Sequence, residues 1–459
     1  VRDLVFMAFF VAYLPAVIRF PHIGAMLWAW LSFCSPEEYL FGFMTALPLS
    51  KIVAALTLVS LLLQRDARRP YIDAAMACML GLVLIGLVSA SFSLSPLPEN
   101  WYLFGKLAKI VVLAFVLTVV LNTRRRLHGV VLATALGLAF NGADEGLKVL
   151  MTAGGHHVLG LSTLGDNNAF ALAMLMCMPV LLYLYNTSAH PLTRFVLMSG
   201  EVLCGVAVIG TYSRGGFLGL LTFALGLVAL NRNKLRNFAL VAASGVVLLY
   251  FAPVAWFDRI DTIGQAQTDS SFMDRVTAWK VSTLIAMDRP LIGGGFHAVQ
   301  DTTVYRKFGQ ELETQLTFIP GAKLREFGMA AHSIYFEVLG DIGFVGLALF
   351  VAMLVLSLIT CARIRRQAKA HPDMMWMSDL AGMLRLSIIV YMVAGAALSF
   401  AYFEGVYVLV ALLSVTRHMQ AVELAKRAVA EPEVEDFDVP AEAEAPAAWV
   451  PVWEQAGEV

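Results

Sequence analysis

Apolar stretches of about 17–25 residues, each long enough to span a hydrocarbon core of roughly 30 Å, succeed one another along most of the chain. They lack the period-2 alternation of barrel strands, so the pattern predicts α-helices that satisfy their own backbone inside a bilayer. The expected spans are 40–64, 72–93, 101–121, 127–150, 167–186, 194–212, 215–231, 236–252, 332–360, 384–400 and 402–416, preceded by a short pair, 4–20 and 22–34, interrupted by Pro15 and Pro21. Segment 22–34 is too short to cross comfortably, so 1–34 is read as one broken span or a re-entrant pair. That gives an all-α polytopic membrane protein of about 12 transmembrane helices. The first run is read as a retained span rather than a cleaved leader, because many others follow it.

The expected organisation is an N-terminal bundle (1–252), a large polar loop (253–331), C-terminal transmembrane helices (332–416) and a tail (417–459). Within the loop, "SSFMDRVTAWKVSTLIAMD" reads as an amphipathic helix capped by Ser271, and Pro290 with "GGG" at 293–295 ends it. Met273, Val276 and Leu284 would face the bilayer surface or the bundle. The tail is Ala/Pro/Glu-rich and is read as disordered.

Composition agrees: 59% of residues are hydrophobic and 15% charged, which excludes a soluble domain of this size. The net charge of −1 conceals an asymmetry that orients the chain. "QRDARRP" (64–70), "TRRR" (123–126), "NRNKLR" (231–236) and "ARIRRQAKAH" (362–371) fall on one side if the spans alternate, and the positive-inside rule makes that side cytoplasmic. Both termini then lie in the cytoplasm and the 253–331 loop lies outside. Five cysteines in or beside apolar runs, none at C-x-x-C spacing, point to neither a disulfide framework nor a thiolate metal site.

Ionisable residues inside such spans are costly and mark function. Lys106, Lys109, Asp144, Glu145, Lys148, Asp166, Asn168, Arg214, His332, Glu337, Asp341 and Glu404 all fall toward the outer leaflet. A transporter would show a polar site nearer the midplane, so the distribution reads as an outward-facing cavity. Asp166 at a helix start can be an ordinary cap. Arg214 places a cation against a positive helix end beside Gly215 and Gly216, which an anion would relieve; the alternative is a snorkelling arginine. Arg275 is either a solvated charge, a cation–π partner of Trp279, or a ligand-binding group. His332, read as the first turn of its span, would be kept neutral by the helix dipole and could accept a proton, or could simply bond a loop. Glu337 and Asp341, one turn apart, read as supporting polar contacts, with Gly340, Gly343 and Gly346 allowing close helix packing. "GGHH" (154–157) lacks a third ligand nearby, so no metal is expected; neither a nucleotide loop nor a nucleic-acid surface is present in the pattern.

"GDNNAFALAM" (165–174), "TYSRGGFLGL" (211–220), "DRVTAWKVSTLIAMDRPLIGGGFHA" (274–298) and "AHSIYFEVLGDIGFVGL" (331–347) occur in the order that resembles the O-antigen ligase family. "PHIGAMLWAWLSFCSP" (21–36) also resembles its ligase-like members. That family includes O-antigen polymerases and bacterial protein O-oligosaccharyltransferases. The resemblance implies a GT-C-like glycosyltransferase of the bacterial inner membrane with its site facing the periplasm. It would use no cofactor, take a glycan from undecaprenyl pyrophosphate and join it to the lipid A–core oligosaccharide, completing lipopolysaccharide. The family's essential arginines match Arg214 and Arg275, and its essential histidine matches His332; family members often carry Asn where Ser333 stands here. The arginines would bind pyrophosphate with help from Lys106 or Lys109, and His332 would deprotonate the acceptor, without metal and with inversion. A polymerase or protein-glycosylating acceptor specificity is the alternative, and a lipid-glycan transporter the alternative from another class.

Overall fold

The computed structural model describes residues 2–64, 69–96, 98–161, 164–230, 270–313 and 326–430. The described chain is predominantly α-helical. Its first half carries α1 (Arg2–Arg19), α2 (Pro21–Cys34), α3 (Leu49–Leu63), α4 (Ala74–Ser91), α5 (Glu99–Val120) and α6 (Arg124–Met151). A two-residue antiparallel ribbon, β1 (Gly160–Leu161) with β2 (Gly165–Asp166), precedes α7 (Asn167–Thr187), α8 (Pro191–Gly210) and α9 (Arg214–Leu230). Then come α10 (Ser270–Asp288), α11 (Thr302–Gly309), α12 (Ile334–Ala368), α13 (Met375–Ala394) and α14 (Glu404–Ala430).

Seven helical stretches among the described residues are long and apolar enough to cross a bilayer: α4, α5, α7, α8, α12, Pro372–Ala397 around α13, and α14 to Val429. This is a multi-pass membrane protein. The other expected spans divide by physical cause. Helices α3 and α9 are apolar but shorter. Helix α6 is 28 residues long but carries Arg124, Arg125, Arg126, Asp144, Glu145 and Lys148 toward its ends. The expected span 236–252 lies outside the described residues.

Of the two expected readings of 1–34, one broken span or a re-entrant pair, the start of the chain is a pair of helices. The Asp3 carboxylate accepts from the backbone N–H groups of Phe41 and Met44 at 3.1 and 3.4 Å. At the far end of the same helix, Ser60 Oγ donates to Ile18 O at 2.7 Å. Helix α1 therefore runs beside α3 in the same direction, and α2 returns the other way. The two form a helical hairpin that turns at Phe20–Pro21, where proline fixes the start of α2. The hairpin puts the beginning of α1 at the same end of the bundle as residues 41–46.

Other boundaries shift for local reasons. Helix α10 begins at Ser270, so Ser271 lies inside the first turn instead of capping it. Val276 and Leu284 are buried, and Leu284 packs with Ala278, Val281, Val299, Tyr305 and Phe308 in a small core built by the loop itself. Asp301 caps α11 by accepting from Thr303 and Val304 N–H. Helix α14 continues to Ala430, past the expected boundary at 416. Residues 1–420 form one compact unit and 421–459 another, of which 421–430 are described.

Helix α12 breaks at Gly343, with φ 77° and ψ −170°. The kink receives the "RPLIGGG" turn that follows α10. Phe344 N–H donates to Pro290 O at 2.9 Å, Gly294 N–H to Gly340 O at 2.8 Å, and Gly295 N–H to Asp341 O at 3.0 Å. Gly340 thus lets α10 approach α12 closely at Ser282, as expected of close helix packing, Gly343 admits the turn after α10, and the space beside Gly346 is filled by Ile342 of its own helix.

Candidate active site

The predicted site residues meet around the short segment 394–402, which joins α13 to α14. Tyr391 Oη holds this segment by donating to Phe400 O at 3.0 Å. Four predicted residues then bind it in succession. Arg275 Nη1 donates to Ala397 O at 3.1 Å, and the His332 backbone N–H donates to Ser399 Oγ at 2.8 Å. Glu337 Oε2 accepts from Ala401 N–H at 2.9 Å, and Asp341 Oδ2 accepts from Tyr402 Oη at 3.0 Å. The start of α9 reaches the same place: a methyl group on Gly215 would lie 3.8 Å from Leu398 Cδ2 and 3.9 Å from Ala394 O.

Arg214 is presented by a chain of caps. Ser213 Oγ accepts from Gly216 N–H at 2.9 Å, which starts α9, and donates to Asn168 Oδ1 at 2.7 Å. Asn168 Nδ2 in turn donates to Asp166 Oδ2 at 3.2 Å. Asp166 caps α7 by accepting from the N–H groups of Asn168 and Ala169. Asp166 is therefore both an ordinary cap and the first link of the chain that sets Arg214's turn. Tyr212, at φ 51°, donates from Oη to Gly154 O at 3.0 Å and pins the preceding loop.

His332 does not lie in the first turn of its span. It stands two residues before α12, in a left-handed conformation at φ 45°, and Ser333 takes the N-cap position without a side-chain bond. Trp279 Nε1 donates to Ala331 O at 2.6 Å, and the Trp279 ring stacks on Phe336 with centroids 5.1 Å apart. Burial lowers the His332 pKa below the ordinary histidine value, and the nearby Arg275 guanidinium lowers it further, partly opposed by Asp166. Burial and Arg275 therefore both favour the neutral ring.

The two lysines belong to a neighbouring group. Lys109 Nζ lies 3.4 Å from Glu404 Oε1, so its charge is already paired. Lys106 acts electrostatically on His297. His297 is a residue that sequence reasoning passed over, although it lies in the quoted "GGGFHA" motif. Its backbone N–H donates to Asp341 Oδ1 at 2.9 Å, and its Nε2 is 3.9 Å from Glu337 Oε1. Burial pushes the His297 pKa down to about 4, with Glu99 opposing and Lys106 reinforcing the shift. The signal for Ser399 and Tyr402 was absent from the sequence, because neither lies in a charged or glycine-rich motif. Glu201, buried in α8, was also passed over; a carboxyl in an apolar span was the available signal.

Farther along this end, Lys148 bonds Asp144 and Glu145 at 2.8 and 2.6 Å, and His156 Nε2 is 2.7 Å from Glu145 Oε2. His157 Nε2 instead faces Thr211 O at 3.3 Å, so the two adjacent imidazoles serve different elements. No group of three or more His, Cys, Asp or Glu among the described residues is arranged to hold a metal ion.

The fold and site define a polytopic helical membrane protein that gathers arginine, histidine and carboxylate groups at one end of its bundle. Residues 200–351, about a third of the chain, match the family described as O-antigen ligase. Residues 1–189 match a family of unknown function. No curated protein matches the chain. That match supports ligase- or polymerase-type glycan transfer with polysaccharide or lipid-linked substrates.

Proposed function

We propose that the protein is an O-antigen ligase of the bacterial inner membrane, with a GT-C-like arrangement of about 12 or 13 spans. It transfers a polysaccharide from undecaprenyl pyrophosphate to a hydroxyl of the lipid A–core oligosaccharide on the periplasmic face. The observation that carries the reading is the meeting of Arg275, His332 and the start of α9 around residues 394–399.

The acceptor oxygen attacks the anomeric carbon as the bond from that carbon to the phosphate oxygen breaks. The bonding pair leaves with pyrophosphate, and the acceptor proton passes to neutral His332. Attack opposite the leaving group inverts the anomeric centre. Arg214 and Arg275 hold the pyrophosphate oxygens and stabilise the charge that grows on them. The pyrophosphate leaving group needs little protonation, so no metal is required. Lys109 is engaged by Glu404, so Lys106 is the lysine that can add positive charge. Asp166 and Asn168 orient Arg214, while Glu337 and Asp341 hold segment 397–402 against α12.

The test is transfer by purified protein with undecaprenyl-pyrophosphate glycan and three acceptors: lipid A–core, growing polysaccharide and a protein acceptor. Product with lipid A–core alone is expected. His332→Ala should lose about 10²–10⁴-fold in rate, the usual contribution of a general base. Wild-type activity should persist below pH 6.5, because burial lowers the histidine pKa. Polysaccharide extension or protein glycosylation would assign the polymerase or oligosaccharyltransferase reading. Transbilayer movement of the lipid-glycan without transfer would assign a transporter.

A further inference from the structure

A second polar feature lies at the opposite end of the bundle. The turn between α1 and α2 faces the beginning of α6 across a cavity of about 580 Å³, lined by His22, Ile23, Met26, Thr123, Arg124, Arg125 and Arg126. Its volume falls within the roughly 300–1,000 Å³ typical of small-molecule sites. Both walls belong to the N-terminal segment that matches a family of unknown function.

Three consecutive guanidinium groups line this space. Arg124 lies over the Trp376 ring at 4.9 Å, and Arg126 Nη1 donates to Val120 O at 3.3 Å. Those contacts orient two of the arginines and neutralise neither. None of the three forms an ion pair among the described residues, and Arg125 is exposed. Topological bias requires only that basic residues lie on this side of the membrane. It does not require them to line a cavity, where their mutual repulsion is concentrated. A phosphate relieves that repulsion and matches the planar arginine fork.

The remaining walls indicate where the phosphate comes from. Ile23 and Met26 are apolar, and beside the turn Ile18 and Phe20 are 50% and 46% exposed. The cavity thus combines a cationic head with an apolar approach at the end of a membrane bundle, where lipid headgroups begin. We propose that it binds the phosphodiester headgroup of an anionic phospholipid in the cytoplasmic leaflet, a site distinct from the glycan-transfer site.

The test uses full-length protein in nanodiscs of equal phosphatidylglycerol and phosphatidylcholine, with retained lipid read by native mass spectrometry. Enrichment of phosphatidylglycerol is expected. Arg125→Gln should reduce it about fivefold, the factor one basic residue contributes near an anionic surface. A combined Arg124→Lys, Arg125→Lys, Arg126→Lys variant keeps charge and topology, and should also lose enrichment because the bidentate geometry is gone. Arg363→Gln, at an exposed basic position away from the cavity, should retain it. No enrichment in the wild type, equal enrichment in the cavity variants, or an equal loss in Arg363→Gln would overturn the proposal. In neutral detergent, short-chain phosphatidylglycerol should raise the apparent melting temperature more than inorganic phosphate does. Equal stabilisation by inorganic phosphate would assign a soluble anion and overturn the lipid assignment.

Discussion

Gly343→Ala should damage this protein out of proportion to the single methyl group it adds. The backbone there has φ 77° and ψ −170°, a region open almost only to glycine, at a cost of about 1–3 kcal/mol for other residues. The new Cβ would also stand 2.7 Å from Pro290 O, 2.8 Å from Gly293 N and 3.1 Å from Arg289 O. These are backbone atoms of a turn bonded to α12 on both sides of the kink, so they cannot rotate away. Overpacking of this kind adds about 1–3 kcal/mol, for a total of roughly 2–6 kcal/mol. Gly105→Ala is the matched control. It is helical with nothing within 4 Å of its would-be Cβ, and should stabilise by about 0.5–1 kcal/mol. The assay is the apparent melting temperature in detergent by tryptophan fluorescence, paired with glycan transfer. Gly343→Ala should melt well below wild type and transfer poorly, because the displaced turn carries His297 and the loop's small core. Wild-type melting of Gly343→Ala would refute the kink as the anchor of that loop.

Ser399→Ala removes the acceptor of the His332 backbone N–H and leaves a part-buried donor unpaired, at about 1–3 kcal/mol. Transfer should slow with donor binding unchanged, as read by kcat and KM separately. Arg275→Lys keeps the charge but loses the planar fork that also reaches Ala397 O, so its main effect should be weaker donor use, measured as kcat/KM. His297 should make stability acid-sensitive. Its folded pKa is about 4, so as pH falls below about 6.5 the unfolded chain takes up a proton that the folded chain refuses, and up to about 3 kcal/mol is lost by pH 4. His297→Gln should flatten the melting temperature across that window; an unchanged slope would clear His297 of the effect.

The class of protein was legible because its cause is local. A run of apolar residues long enough for a bilayer must be helical whatever surrounds it, and seven described stretches meet that requirement. Asp166 and Asn168 at a helix start, and the glycine-rich turn after Pro290, were likewise readable, since caps and turns depend on neighbours in sequence. Arg214, Arg275 and His332 could be singled out as misplaced charges and family-like motifs. Their meeting could not, because the segment that joins them contains Ala397 and Ser399, which carry no chemical signature. His297 was hidden for a related reason: its importance comes from Asp341 and Glu337, more than forty and forty residues away respectively.

Alone, then, the sequence determined a predominantly helical multi-pass membrane chain and its candidate groups, because hydrophobic length acts residue by residue. The tertiary structure alone decided the direction of the first hairpin, the place of His332 before its helix, the burial that favours its neutral form and the pairing of Lys109 with Glu404. Those depend on burial and on distances between elements remote in sequence. Alternation of spans constrains the side of the membrane, but only packing sets which polar groups share one place on it.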